Sequence, residues 1–228
     1  MNAKNITRII LGIAAIVLAY FLFESIMKPQ RFETLKSRKE AEVINRLKDI
    51  RTAQIAFRNA HGRYCGTLDS LVMFLDKGKL PSVRRTGEIP EEMTEAEALR
   101  LKIIRRDTVF SDAYSVLFPP DTIKERHLTT AKEIEEFRQS QRENHLAGLK
   151  YIPFTGRTKE FTIETGFVDK GNISVPVIEV SAHLLDYMPE EDYRVLVVNS
   201  VKRMMDINRF PGRKFGSMTD PQTEGNWE

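Results

Sequence analysis

Ile9 to Phe23 reads IILGIAAIVLAYFLF, and from Phe32 to Ala60 the chain continues FETLKSRKEAEVINRLKDIRTAQIAFRNA. The first piece carries no charge, and Ile26 and Met27 extend it past Glu24 and Ser25. At about 1.5 Å per helical residue the strict run spans roughly 22 Å, and carried to Met27 about 28 Å, close to a bilayer core of about 30 Å. Glu24 then falls near an interface, where a carboxylate stays hydrated, and Tyr20, Phe21 and Phe23 suit an aromatic belt at the same end. A cleaved signal sequence would need a small-x-small site after the run. Here Glu24, Ser25 and Ile26 lead into the bulky, basic MKPQRF instead. The expectation is an uncleaved transmembrane anchor over residues 1–28, with the lipid bilayer as its partner. Gly12, Ala15 and Ala19, three and four apart, offer a small surface for helix contact in lipid.

The second piece is expected to be a helix starting at Pro29, a residue tolerated in a first turn. Val43, Leu47, Ile50 and Phe57 recur at helical spacing, with Ala53 and Ala60 on the same side and Arg and Lys elsewhere. That stripe packs either on a core or on copies of itself. Gly62 supplies the left-handed residue that ends such a helix. Thr67 or Asp69 can then cap a short helix, Leu68 to Leu75, whose Leu68, Leu71, Val72 and Leu75 share a face before Lys77-Gly78-Lys79 closes it. An apolar span feeding an amphipathic helix suggests an anchored spine, residues 29–80 with the short helix, carrying a head.

Composition narrows the function classes. The chain has 228 residues, a net charge of +3, 41% hydrophobic and 29% charged residues. Acids and bases interleave, which reads as a solvated surface and not as a nucleic-acid interface. The single cysteine, Cys65, excludes an internal disulfide and a Cys-rich zinc site.

Asp49-Ile50, Ala53, Phe57, Gly62-Arg63-Tyr64 and Leu68 together resemble the end of the first helix in type IV pilins and type II secretion pseudopilins. In those families a small residue and an aromatic on the helix precede a Gly-x-Tyr-Pro-like step and a Leu-containing segment. Ala53, Phe57, Gly62, Tyr64, Leu68 and Leu71 match this pattern, and Cys65 stands where Pro is usual. The order of parts is also similar: short N-terminal tail, apolar helix, spine, mixed head. The resemblance covers about 70 residues, and Val17 stands where the prepilin pattern, counted from Gly12, has its glutamate. It implies a single-pass protein of the bacterial inner membrane with a periplasmic body, assembling as a homo-oligomer or with envelope-complex subunits. The charge count alone points the other way, since Lys28, Arg31, Lys36, Arg38 and Lys39 outnumber Lys4 and Arg8, although long domains weaken that rule.

Residues 81–210 are expected to form an α+β head with a small antiparallel sheet. Pro81 to Pro90 reads as a loop, and Thr94-Glu95-Ala96-Glu97 as a capping box opening a helix through Ile104. An extended section lies between Arg105 and Phe118, and Thr129 or Thr130 starts a charged helix to about Asn144. Lys150 to Phe154 is a candidate strand. Glu160–Val168 and Ile173–Val180 flank the turn Asp169-Lys170-Gly171-Asn172, with Pro176 marking an edge or a bulge. Glu190 to Asp206 reads as a helix with Val195, Val198, Val201 and Met205 toward the core, the alternative being a strand at Tyr193–Val198. Residues 211–228 read as an extended tail.

Catalytic chemistry finds little support. His61, His127, His145 and His183 form no metal-ligand spacing, and His61 beside Gly62 reads as a partner of the helix C-terminus. His61 and Cys65 lack an orienting third group for a thiolate pair. Gly212 to Ser217 lacks phosphate-loop spacing, and Glu190-Glu191-Asp192 starts a helix. No cofactor, metal or catalytic residue is expected. The sequence points to anchoring and assembly, as a pseudopilin-like component or as a bitopic scaffold that does not polymerise.

Overall fold

The computed structural model of the chain describes residues 3–87, 94–101, 103–119 and 130–228. Its first element, α1, is a single helix of 59 residues, Ala3–His61, with Pro29 inside it. At 1.5 Å per residue it is about 88 Å long. The expected start at Pro29 is corrected: the helix runs through it. Proline costs one hydrogen bond to the carbonyl four residues back, and the surrounding Phe, Leu, Met, Lys and Glu residues sustain the helix across that gap.

At the far end Gly62 takes φ +73° and donates its N–H to the Arg58 carbonyl at 2.7 Å, so the chain leaves α1 in the left-handed region open to glycine. Helix α2, Leu68–Lys77, is capped by Thr67, whose Oγ1 accepts from the Ser70 N–H at 3.3 Å. Gly78 ends it. Strands β1, Lys79–Thr86, and β2, Arg105–Asp112, form an antiparallel pair from Lys79↔Asp112 to Thr86↔Arg105. Between them lies α3, Glu95–Arg100, and after them come α4, Ala113–Leu117, and α5, Ala131–Leu149. Thr130 and Glu133 form the capping box of α5.

The second sheet has the order β3-β4-β5: Thr162–Lys170, Ile173–His183 and Gly212–Ser217, all antiparallel. The β4–β5 connection holds α6, Leu184–Tyr187, a 3₁₀ turn, Glu191–Tyr193, and α7, Arg194–Asp206. The fold is mixed α and β, a long apolar N-terminal helix followed by small antiparallel sheets and further helices. One core joins Val43, Leu47, Ile50 and Ala53 of α1 to Leu71 and Leu75 of α2, and to Ile178, Val180 and Phe215 of the sheet. The spine stripe is thus a core face at Val43 to Ala53, while Phe57 is half-buried and Ala60 exposed.

Several sequence expectations are corrected. Lys79–Thr86 is a strand and not a loop, because its polar residues pair in a two-stranded ribbon that needs no apolar face. Helix α3 stops at Arg100, short of Ile104, while α5 runs on to Leu149 and buries Leu146 and Leu149. Lys150–Phe154 is no strand: Tyr151 alone bridges Glu160, and Phe154 at φ +69° ends the extension. Pro176 pairs with Phe167 in β4, the middle strand, but β5 reaches only to Ile178, so at the proline β4 has one neighbour. Helix α7 buries Val197, Ser200 and Val201 and exposes Val195, Val198 and Met205. Residues 211–228 are no free tail: they supply β5, and Phe215 bridges Gly225. Pro90, Pro120, Asp121, His127 and Thr129 lie outside the described residues.

Candidate functional site: a bare apolar rod and its grip on the head

The most apolar length of α1 is also its most exposed. The stretch that begins at Leu11 is long and apolar enough to cross a membrane, and none of its 18-residue apolar window is buried. Leu11 and Ile16 are each 71% exposed, and every Leu, Ile, Val and Phe side chain from Leu11 to Ile26 is exposed, Val17 the least at 46%. A contiguous apolar surface of this kind is a contact surface for lipid or for another chain. Gly12, Ala15 and Ala19 lie within it, and a Cβ added at Gly12 would meet nothing within 4 Å.

From Phe32 onward the same helix grips the head at three levels. Nearest the rod, Phe32 is buried with its ring 5.8 Å from that of Tyr193. Above it, the buried Lys39 donates to the Tyr187 carbonyl at 3.2 Å and pairs with Glu190. Glu40, also buried, accepts from Arg213 at 2.5 Å and from the Tyr187 hydroxyl at 3.4 Å. Burial, and then the Glu40 charge, push the Tyr187 hydroxyl well above the ordinary tyrosine range, so it stays protonated and donates. Two charged side chains buried on one helix are tolerated because each is paired.

At mid-height His145 of α5 stands between Asp49 and Tyr114. Its Nε2 lies 3.2 Å from Asp49 Oδ2, and its Nδ1 lies 3.1 Å from the Tyr114 hydroxyl. Burial raises the Tyr114 hydroxyl above its ordinary range, so the phenol keeps its proton, and both ring nitrogens of His145 are engaged, one by Tyr114 and one by Asp49. The chain of three fastens α5 and α4 to the spine. It borders an open groove of about 1240 Å³ that Arg142, Phe118 and Gln139 also line. On another side of the spine Arg51 donates to Glu228 at 2.7 Å and to the Thr223 carbonyl at 3.2 Å, tying down the chain's last residues.

The distal level is the step after α1. Gln54 is fully buried, and its amide makes two 2.9 Å bonds to Cys65, donating to the carbonyl and accepting from the N–H. Arg58 donates to the Tyr64 hydroxyl at 2.9 Å. Of the residues carrying the pilin-like pattern, Ala53, Tyr64, Leu68 and Leu71 are buried together in the core and Gly62 makes the turn. Phe57 stacks on His61 at 4.2 Å and meets Phe74 edge-on. His61 Nδ1 lies 3.1 Å from the Phe57 carbonyl, in the last turn of α1. His183 is spoken for, accepting from the Leu185 N–H at the start of α6.

Sequence reasoning did not single out Gln54, Lys39, Glu40 or the Asp49–His145–Tyr114 chain. One signal was available: Lys39-Glu40 and Gln54 lie on the face that Val43, Leu47 and Ile50 bury, and a polar residue on a core face needs a fixed partner. Among the described residues no group of three or more His, Cys, Asp or Glu side chains could hold a metal ion. In comparisons with known proteins, no family model, no curated protein and no solved structure matches the chain.

Proposed function

We propose that this chain is a non-catalytic, membrane-anchored assembly component, pseudopilin-like, of a secretion or pilus-type envelope machine. One observation carries the reading: an unburied apolar rod is continuous with the helix that grips the head at three levels. Such a rod sits in the bilayer of a bacterial inner membrane, and the head projects on the periplasmic side. Because rod and grip are one helix, lateral contacts made in lipid fix the spacing of the heads. The pilin-like step at Gly62 to Leu71 supports the same reading, since it ends the spine and starts the head. Partners are other copies of the chain or envelope-complex subunits.

Cysteines at Gly12, Ala15 and Ala19, in a Cys65→Ser background, test it by oxidative cross-linking in native membranes. A homomeric ladder is the expected result. A second reading, a bitopic scaffold that does not polymerise, is favoured by the absence of any acid between Ile9 and Phe23. It predicts one heteromeric product and no ladder. Failure of all three cysteines to cross-link would remove the contact surface from both readings.

A further inference from the structure

Helix α7 turns an apolar side away from the head. Its buried side is Val197, Ser200 and Val201. On the other side Val195 is 72% exposed, with Val198 and Met205 open beside it and Ile207 exposed just beyond the helix. Between Arg194 and Arg209 the sequence carries four cations, the others being Lys202 and Arg203, against one acid, Asp206, while Glu190, Glu191 and Asp192 stand just before the helix and Glu191 pairs with Arg194 at 3.1 Å. Exposed apolar residues set among cations are the composition of a helix that lies in a membrane interface.

The place of α7 in the fold gives that face its occupant. Tyr193, the residue before α7, packs on Phe32. Phe32 follows Met27, where the apolar span ends, by five residues, or about 7.5 Å of helix. A headgroup layer is roughly 5–7 Å thick on each side of the hydrocarbon core, so Phe32 stands at its outer edge. Helix α7 also belongs to the β4–β5 connection, which leaves the sheet beside the pair His183↔Gly212. That is the end of the sheet toward the rod, because Tyr187 and Arg213 there hold Lys39 and Glu40. Farther along the sheet, Thr165, paired with Ile178, lies beside Gly66 just past the distal end of α1. Lys28 and Arg31 of α1 add cations at the same level.

We infer that the outer face of α7 docks on the anionic headgroup layer of the bilayer that holds the span. The apolar side chains enter the headgroup layer and the cations meet lipid phosphates. The head is then held against the membrane by two elements, the spine and α7, and cannot swing about the spine alone. The inference rests on the membrane reading of α1, and its test separates the two.

The full chain, with Cys65→Ser, is spin-labelled singly at Val17, Val195, Val198, Ile207 or Met73, and placed one copy per disc in phosphatidylcholine–phosphatidylglycerol nanodiscs. Collision with lipid-soluble oxygen is compared with collision with an aqueous nickel chelate. Oxygen should dominate at Val17, the two should nearly balance at Val195 and Val198, and nickel should dominate at Met73 on distal α2. Adding Val195→Glu and Val198→Glu, both at exposed positions, should move the Ile207 label to the nickel-dominated value of Met73. Oxygen dominance at Val17 with nickel dominance at Val195 and Val198 overturns the docking face and leaves the anchor standing. Nickel dominance at Val17 overturns both. Shielding of Val195 only when discs hold two copies assigns the face to a second copy and overturns docking on lipid.

Discussion

A buried glutamine must satisfy both ends of its amide, and Gln54 does so on one residue, the backbone of Cys65. Replacing it with leucine keeps the helix and the volume but leaves a buried N–H and a buried C=O without partners. At about 1–3 kcal/mol for each orphaned group, Gln54→Leu should cost about 2–5 kcal/mol, against about 0.5 or less for Thr52→Ala on the exposed side. Urea unfolding of the detergent-solubilised chain measures both. Equal midpoints for the two variants would mean that the clamp contributes nothing. Tyr187 gives a pH test. Its hydroxyl is raised by burial first and by Glu40 second, so the folded state holds the proton to higher pH than the unfolded state, whose tyrosines titrate near about 10. Above that value the unfolded chain binds fewer protons, and stability falls as pH rises. Below it the contribution is fully present. Tyr187→Phe should flatten the fall in unfolding midpoint above about pH 10, leaving a smaller slope to which Tyr114, raised for the same reason, contributes.

At the scale of elements the test lies in β5. Phe215 is buried against the spine, Arg213 pairs with the buried Glu40, and Gly216 sits where a Cβ would be 2.0 Å from the Ile178 carbonyl oxygen. Phe215→Ala should cost about 3–5 kcal/mol by the cavity it leaves. A chain ending at Phe210 should lose protease resistance throughout the head, because β4 would gain a bare edge and Glu40 would lose its cation. A head that stays resistant would mean that β5 is an accessory. This strand escaped sequence reading because Gly212-Arg213-Lys214-Phe215-Gly216 shows no alternation, and its place comes from pairing with β4. Strand β1 was hidden likewise by Pro81, Ser82 and two arginines. Helix α7 was legible as a helix but not in phase, since valine or leucine fills every position from 195 to 198. The structure turns Val197 inward and leaves Val195 and Val198 outside. What the sequence did show is what depends on local pattern: the apolar run, the Val43–Ala53 stripe, the Gly62 stop, the Thr67 and Thr130 caps and the β3–β4 hairpin. The grip on the head was not legible, because each of its pairs joins residues far apart in the chain.

For the whole molecule the deciding quantity is the free energy of the bare rod. Nine Leu, Ile, Val and Phe side chains stand exposed between Leu11 and Ile26. At about 0.3–0.6 kcal/mol each on a translocon-insertion scale they favour the bilayer by roughly 3–5 kcal/mol, before Glu24 is set against them near an interface. That margin is small enough for one charge to cancel. An arginine at the centre of a span costs about 2.5–3.5 kcal/mol, and Val17→Arg also removes one favourable contribution, so the balance falls to about zero. Leu11→Arg places the same charge near an end, where the side chain reaches the headgroups and most of the cost disappears. The share of chain that resists carbonate extraction should therefore drop sharply for Val17→Arg and stay near the parent value for Leu11→Arg. The head should remain folded in both, because its contacts with α1 begin at Phe32, fifteen residues beyond Val17. Equal retention of the two variants would show that protein contacts and not lipid hold the rod, since only a lipid core distinguishes the middle of the helix from its end.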